Sequence, residues 1–127
     1  MLQKLEITGI HFVVKEPLKK YAGDKLGSLD RYIPRHSRES AHMEIRLFES
    51  KIEGRKQPVC EVTLHLPREA MVLKEHGPTH YAAIDIVEAK LKMKIKDYKE
   101  KLTGSERAQH LWGRLRRRLT FKLPEAL

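Results

Sequence analysis

The sequence predicts an α+β fold: a two-layer sandwich of order β-α-β-β-β-α. A four-stranded sheet carries two helices on one face, and a basic helical segment follows. Three observations predict it. Residues 79–102, THYAAIDIVEAKLKMKIKDYKEKL, place Tyr81, Ile84, Val87, Leu91, Ile95, Tyr98 and Leu102 at spacings of three and four, which is the apolar stripe of a helix. Three stretches alternate apolar and polar residues, which is the period of half-buried strands. Helical periodicity returns between the first of these stretches and the other two, with Leu18, Ala22, Leu26, Leu29 and Ile33 in register.

Residues 2–12 read as the first strand. Leu5 and Ile7 alternate with Lys4, Glu6 and Thr8, and Gly9 marks a bulge or bend. A helix follows over 16–33. Pro17 occupies its first turn, where a missing N–H costs nothing. Gly23 and Gly27 either weaken this helix or permit a close neighbour. Ile33-Pro34 ends it, and PRHSRES reads as a polar basic loop.

Residues 41–50 alternate, with Met43, Ile45 and Leu47 on one face and His42, Glu44 and Arg46 on the other. KIEGRKQP is a turn in which Gly54 supplies the permissive φ. Residues 59–66 send Cys60, Val62, Leu64 and Leu66 inward, and Pro67 breaks the run. Residues 69–74 form a short fourth strand whose register AMVL leaves open. Three strands on short connections form an antiparallel meander, with both helices on the same apolar face.

HGP turns the chain into the long helix, with Thr79 as N-cap. At 1.5 Å per residue this helix spans about 36 Å. Lys90, Lys92, Lys94, Lys96, Lys99 and Lys101 are assigned to the side opposite the apolar stripe. Gly104 is expected to end the helix and Ser105 to cap another. That last helix carries Ala108, Leu111, Trp112, Leu115 and Leu119 on its apolar stripe. The expected division is a domain over 1–103 and a basic amphipathic helical tail over 104–127.

The chain's 127 residues suit one domain, and its net charge of +9 points to a polyanionic partner. The charge is unevenly placed. Residues 90–122 hold 12 basic and 3 acidic side chains, so this stretch equals the whole net charge and the remainder balances to zero. Such asymmetry argues for a contact surface. The one cysteine, Cys60, allows no internal disulfide and lies on the inward face of a strand. No apolar run approaches the roughly 18 residues of a membrane span, and the N-terminus alternates where a leader would be continuously apolar. The expected compartment is the cytoplasm.

A lysine run is often only a solvated helix face. Here the lysines are too dense for intrahelical pairing, with Asp97 and Glu100 alone nearby. Lys19, Lys20, Arg31 and Arg35 add charge from the first helix and its following loop. Few exposed aromatics are available to stack single-stranded bases, so the surface suits structured RNA met through phosphates and shape. In the tail, Arg114, Arg116, Arg117 and Arg118 suit RNA better than a membrane surface, although a basic helix with Trp112 also has that second use.

His76 and His80 have a His-x3-His spacing, but Gly77-Pro78 keeps them off a common helix, so no metal site is expected. No paired carboxylates, GxSxG, P-loop or GxGxxG occur. The expectation is a binding protein with no cofactor.

Three segments carry a resemblance. EPLKKYAGDKLGSLDRYIPR (16–35), CEVTLHLP (60–67) and YAAIDIVEAKLKMKIKDYK (81–99) occur in order. Over residues 2–102 the chain resembles the ribosome hibernation-promoting factor and ribosome-associated inhibitor A family, in a short form without the C-terminal dimerisation domain. The resemblance implies a fold similar to double-stranded-RNA-binding domains. It implies a monomer that binds the small ribosomal subunit, contacts ribosomal RNA through basic helix faces near the aminoacyl and peptidyl sites, and inhibits translation while protecting idle ribosomes. A general structured-RNA module is the alternative.

Lys90 best matches the family's lysine before leucine, and Lys19, Lys20, Arg31, Lys92, Lys94, Lys96 and Lys99 match more loosely. The sequence departs from the family pattern at Thr79, where an acidic residue is usual, at Lys94, often glutamine, and at Asp97, commonly basic. Its basic tail matches neither the second domain of long members nor the acidic tail of the inhibitor A type.

Overall fold

The computed structural model describes the backbone of residues 2–118 and the side chains of residues 2–101. The elements are β1 (Leu5–Gly9), α1 (Glu16–Gly27), a 3-10 turn (Ser28–Tyr32), α2 (Arg35–Arg38), β2 (His42–Ile52), β3 (Arg55–Leu66), β4 (Glu69–His76) and α3 (His80–Arg118). The sheet order is β1-β2-β3-β4. α1 carries the chain across from β1 to a parallel β2, and β2, β3 and β4 form the expected antiparallel meander. Both long helices cover one face, which makes the α+β two-layer sandwich.

The alternation in the sequence sets which face each strand buries. Met43, Ile45, Leu47, Cys60, Val62 and Leu64 are each at most 1% exposed, and α1 and α3 close over them with Leu26, Ile84, Leu91 and Ile95. The fourth strand takes the register that the sequence left open, with Met71 and Leu73 against the core and Val72 outward. It runs to His76, two residues past its expected end.

The connections are tighter than expected. The turn expected over eight residues is only Glu53-Gly54, with φ of 53° and 80°. Two positive φ values in a two-residue loop make the turn whose twist matches antiparallel strands. The long hairpin therefore keeps Ile52 opposite Arg55. At the other end, Pro67 and Arg68 reverse the chain, and Arg68 takes a φ of 71°. Gly9 ends β1 four residues after Leu5, and the strand is shorter than the expected 2–12. A Cβ on Gly9 would stand 2.3 Å from the Phe12 carbonyl oxygen, so the chain can fold back there only on glycine.

The first helix does not run to Ile33. It tightens at Ser28, whose hydroxyl donates to the Lys25 carbonyl at 3.0 Å, a local bond that competes with the helical ladder. The 3-10 turn still delivers Leu29 and Ile33 to the core, both 1% exposed. The expected loop after Pro34 contains the one-turn helix α2. Its Ser37 is fully buried, and its hydroxyl lies 3.4 Å from that of Tyr98. Arg38 donates to the carbonyls of Ile33 and Arg31 at 3.0 and 3.2 Å, so this arginine is a brace for the chain end it closes.

Thr79 is the N-cap of α3, accepting from the Ala82 N–H at 3.1 Å. His80 ties the same turn to the sheet through the Phe48 carbonyl oxygen at 2.9 Å and stacks on Phe12 with centroids 4.8 Å apart. The expected break at Gly104 does not occur: α3 is continuous to Arg118. One interior glycine costs about 1 kcal/mol relative to alanine, which the stronger helix formers beyond Thr103 and Ser105, namely Lys99 to Leu102 before and Glu106 to Gln109 after, can absorb. No helix among the described residues is long and apolar enough to cross a membrane.

Candidate nucleic-acid interface

The lysines of α3 do not form one face opposite the core. At about 100° per residue, and with Leu91 at the centre of the buried stripe, Lys92, Lys96 and Lys99 fall on the flank towards α1. Lys90, Lys94 and Lys101 fall on the flank towards β4. The contacts agree. Lys92 and Lys96 reach Tyr32, which follows α1, with ammonium-to-ring distances of 4.9 and 5.6 Å. Lys90 instead meets Glu75 of β4 at 2.9 Å, and Lys101 meets Glu69 at 3.8 Å. Between the two rows, the outermost ridge of α3 carries Ile86 and Met93, 37% and 68% exposed. The expected single lysine plate is thus two rows separated by a crest on which exposed Asp97 and Glu100 stand beside Ile86 and Met93. The reason is geometric: the buried stripe is narrow, and lysines at every second position straddle it.

Tyr32 is the residue that sequence reasoning missed. Its ring sits under three cations, with the Arg31 guanidinium 5.1 Å from its centroid besides the two lysines. A hydrogen bond from Lys92 pulls the Tyr32 hydroxyl below the usual phenol range, and the charges of Arg31, Lys92 and Lys96 add to the shift. A ring face under several ammonium groups is a favourable cation–π setting. It gathers Arg31 with two lysines about 60 residues further along the sequence. The one available signal was the adjacency of Arg31 and Tyr32, and no spacing rule connects that pair to Lys92.

Nearer the start of α3, α1 and α3 face each other across a groove in which an acidic side chain meets a lysine. Tyr21 donates a short hydrogen bond to Asp85, and Lys25 pairs with Asp85 at 3.5 Å. The Asp85 hydrogen bond raises the Tyr21 pKa, with its burial and the Asp85 charge acting the same way. Tyr81 stands edge-on to Tyr21, with centroids 4.9 Å apart, and is 41% exposed. Tyr81 therefore belongs to the groove rim, not to the core stripe in which its spacing placed it. Ala83 takes the buried position.

The other predicted side chains are dispersed. Lys19 and Lys20 are exposed on α1, and Arg35 is exposed at the start of α2. On the helical wheel, Lys20 points outward and Lys19 leans to the β1 side, away from the groove with α3. Lys94 and Lys99 are exposed on opposite flanks of α3. The predicted Arg114, Arg116, Arg117 and Arg118 lie outside the residues whose side chains are described.

Cys60 is fully buried in β3, and that burial pushes its thiol up to about 12. It is a core residue, as its strand position predicted. His76 bonds Gln57 at 2.9 Å while His80 bonds the backbone, so the pair with metal-like spacing is divided between two jobs.

Comparison with known proteins gives a consistent picture. The chain spans 82% of its own length but about half (52%) of the Staphylococcus aureus "Ribosome hibernation promotion factor", with 24% identity over 104 residues. Two solved structures share the fold. The Thermus thermophilus Protein Y N-terminal domain has a TM-score of 0.60 and 22% identity, over 73% of this chain and 94% of that one. A ribosomal subunit interface protein from Coxiella burnetii has a TM-score of 0.63 and 19% identity, over 78% of this chain and all of that one. The family model described as sigma 54 modulation protein / S30EA ribosomal protein matches residues 5–103. That match covers the sheet, α1 and most of α3, and the chain belongs to this family.

Proposed function

We propose that this chain is a ribosome hibernation factor. It binds the small ribosomal subunit near the aminoacyl and peptidyl sites, contacts ribosomal RNA through its helix layer, and blocks translation while idle ribosomes are preserved. It acts as a monomer in the cytoplasm by occupying a site, with no chemistry of its own. Residues 1–103 form the binding domain, and the basic segment 104–127 adds affinity through Arg114, Arg116, Arg117 and Arg118.

The observation that carries this reading is the cationic helix layer on a domain of this family. Arg31, Lys92 and Lys96 converge at Tyr32 on one side of α3, with Lys99 on the same flank. Lys90, Lys94 and Lys101 run along the other. A helix is about 10–12 Å across with its side chains, so the two rows can follow two phosphate tracks while the crest of Ile86, Met93, Asp97 and Glu100 lies between them, its two carboxylates turned to the gap and not to either track. Lys19, Lys20 and Arg35 extend the charge at the margin. The ion pairs of Lys90 and Lys101 do not oppose this use. Exposed pairs contribute about 0–1 kcal/mol, and a phosphate can replace the carboxylate at little cost.

Co-sedimentation with small subunits through a sucrose gradient tests the proposal. The chain should migrate with the subunit at low salt and be released steeply as salt rises. Protein left at the top of a low-salt gradient would rule the reading out. Equal affinity for an arbitrary RNA duplex would replace it with a general structured-RNA module.

A further inference from the structure

The sheet face turned away from the helices carries its own cluster. We propose that His42, Glu44 and His65 form a three-ligand site for a borderline divalent transition-metal ion of the zinc class. The site lies on the opposite side of the sheet from the lysine rows and does not rest on the ribosome reading.

Strand register brings the three together. His42 on β2 pairs directly with His65 on β3, and Glu44 is the next residue of β2 on the same face. Their ligand atoms all lie within 4.8 Å of one another. Glu44 reaches His42 Nε2 at 3.8 Å through one carboxylate oxygen and His65 Nε2 at 3.9 Å through the other. The two rings lie 5.2 Å apart and are inclined by 22°. Contacts near 3.8 Å are too long for hydrogen bonds, so the three polar groups surround a common gap without satisfying one another.

A tetrahedral ion with bonds of about 2.0–2.1 Å needs neighbouring ligand atoms about 3.3 Å apart. The 3.8 and 3.9 Å carboxylate–imidazole separations lie about half an ångström beyond that, within the reach of side-chain rotation. His42 and His65 form the first rung of the β2–β3 ladder, and the backbone there is held because both strands are inner strands, flanked by β1 and β4.

Charge and chemistry agree with this assignment. The chain has 26 lysines and arginines, yet among the described residues Glu44 has no lysine or arginine ion pair. Arg46, the next outward residue on β2, turns to Glu61 at 3.5 Å. The Glu44 carboxylate is thus left to the two imidazoles. Two imidazoles and one carboxylate suit Zn2+, Ni2+ or Cu2+ better than the all-oxygen sites of Ca2+ or Mg2+. Three protein ligands on an open face leave a further coordination position for water.

The test uses the untagged full chain, stripped with a chelator and titrated with Zn2+ by calorimetry, with Co2+ as an optical probe. The expected result is one Zn2+ per chain, displacing Co2+ from a tetrahedral spectrum. His42→Asn, His65→Asn and Glu44→Gln should each weaken Zn2+ binding at least tenfold. His76→Asn, whose ring is engaged with Gln57, should bind as the parent does. All three ligand side chains are about one-third or more exposed, and circular dichroism of the metal-free variants verifies their fold. The proposal is overturned if the parent shows no saturable binding, if the ligand variants bind as the parent does, or if only one of the three substitutions matters.

Discussion

Replacing Lys92 and Lys96 together by glutamine removes two of the three cations at Tyr32 while leaving the core untouched. Lys92 is half-buried and Lys96 exposed, and neither side chain has an ion pair within the protein among the described residues. Their ammonium groups lie 4.9 and 5.6 Å from the same ring centroid, so both charges face one stretch of a bound polyanion. If each neutralises one phosphate, the slope of log affinity against log salt flattens by about 0.9 per contact. The double variant then changes the slope by about 1.8. The assay is binding of labelled chain to purified small subunits across a salt series. Melting curves run in parallel should show less than about 0.5 kcal/mol of destabilisation for these surface changes. An unaltered salt slope with a folded variant would refute the placement of these lysines against RNA. Glutamine at Lys90 and Lys101, on the opposite flank, should flatten the slope by a similar amount if α3 lies between two phosphate tracks.

Three further outcomes follow from the fold. Thr79→Ala removes the hydroxyl that caps α3 and should cost about 1 kcal/mol in chemical denaturation, whereas Thr79→Ser should cost little. Gly9→Ala forces a Cβ to 2.3 Å from the Phe12 carbonyl oxygen and should destabilise by about 1–3 kcal/mol, as overpacking does; a melting temperature equal to the parent's would show that this turn is not constrained. Cys60 should resist thiol reagents in the folded chain and react once it is unfolded. Because its pKa rises from 9.0 to about 12 on folding, the unfolded chain loses this proton first. Stability should therefore fall between pH 9 and 12, by at most about 1.4 kcal/mol per pH unit from this group. Replacing Cys60 by alanine should remove that component of the slope.

Much of the fold was legible because burial follows period. Alternation in β2 and β3 named Met43, Ile45, Leu47, Cys60, Val62 and Leu64 correctly as core residues, and the helical stripe named Leu18, Ala22, Leu26, Leu29 and Ile33. The misreadings have local causes. Ser28 tightens α1 through a side-chain bond that no periodicity records. The Glu53-Gly54 turn is short because two adjacent residues accept positive φ, while the polar composition around it suggested a longer loop. Gly104 read as a stop because glycine commonly caps helices, yet α3 passes through it.

The candidate interface was legible as composition and not as arrangement. The lysine count identified the element, but its division into two rows depends on where α1 and β4 lie beside α3. Tyr32 joins Lys92 and Lys96 only through that packing. The His42, Glu44 and His65 cluster was hidden for a similar reason, since it depends on pairing between strands and not on spacing along one.

We propose above that the chain occupies the small-subunit channel where messenger and transfer RNA sit. That occupancy is tested most directly by competition on purified small subunits carrying messenger RNA and a transfer RNA in the peptidyl site. Added chain should displace the transfer RNA, and preloaded chain should prevent its binding, in proportion to the chain retained on the subunit. Simultaneous full occupancy by the chain and the transfer RNA would contradict binding in that channel.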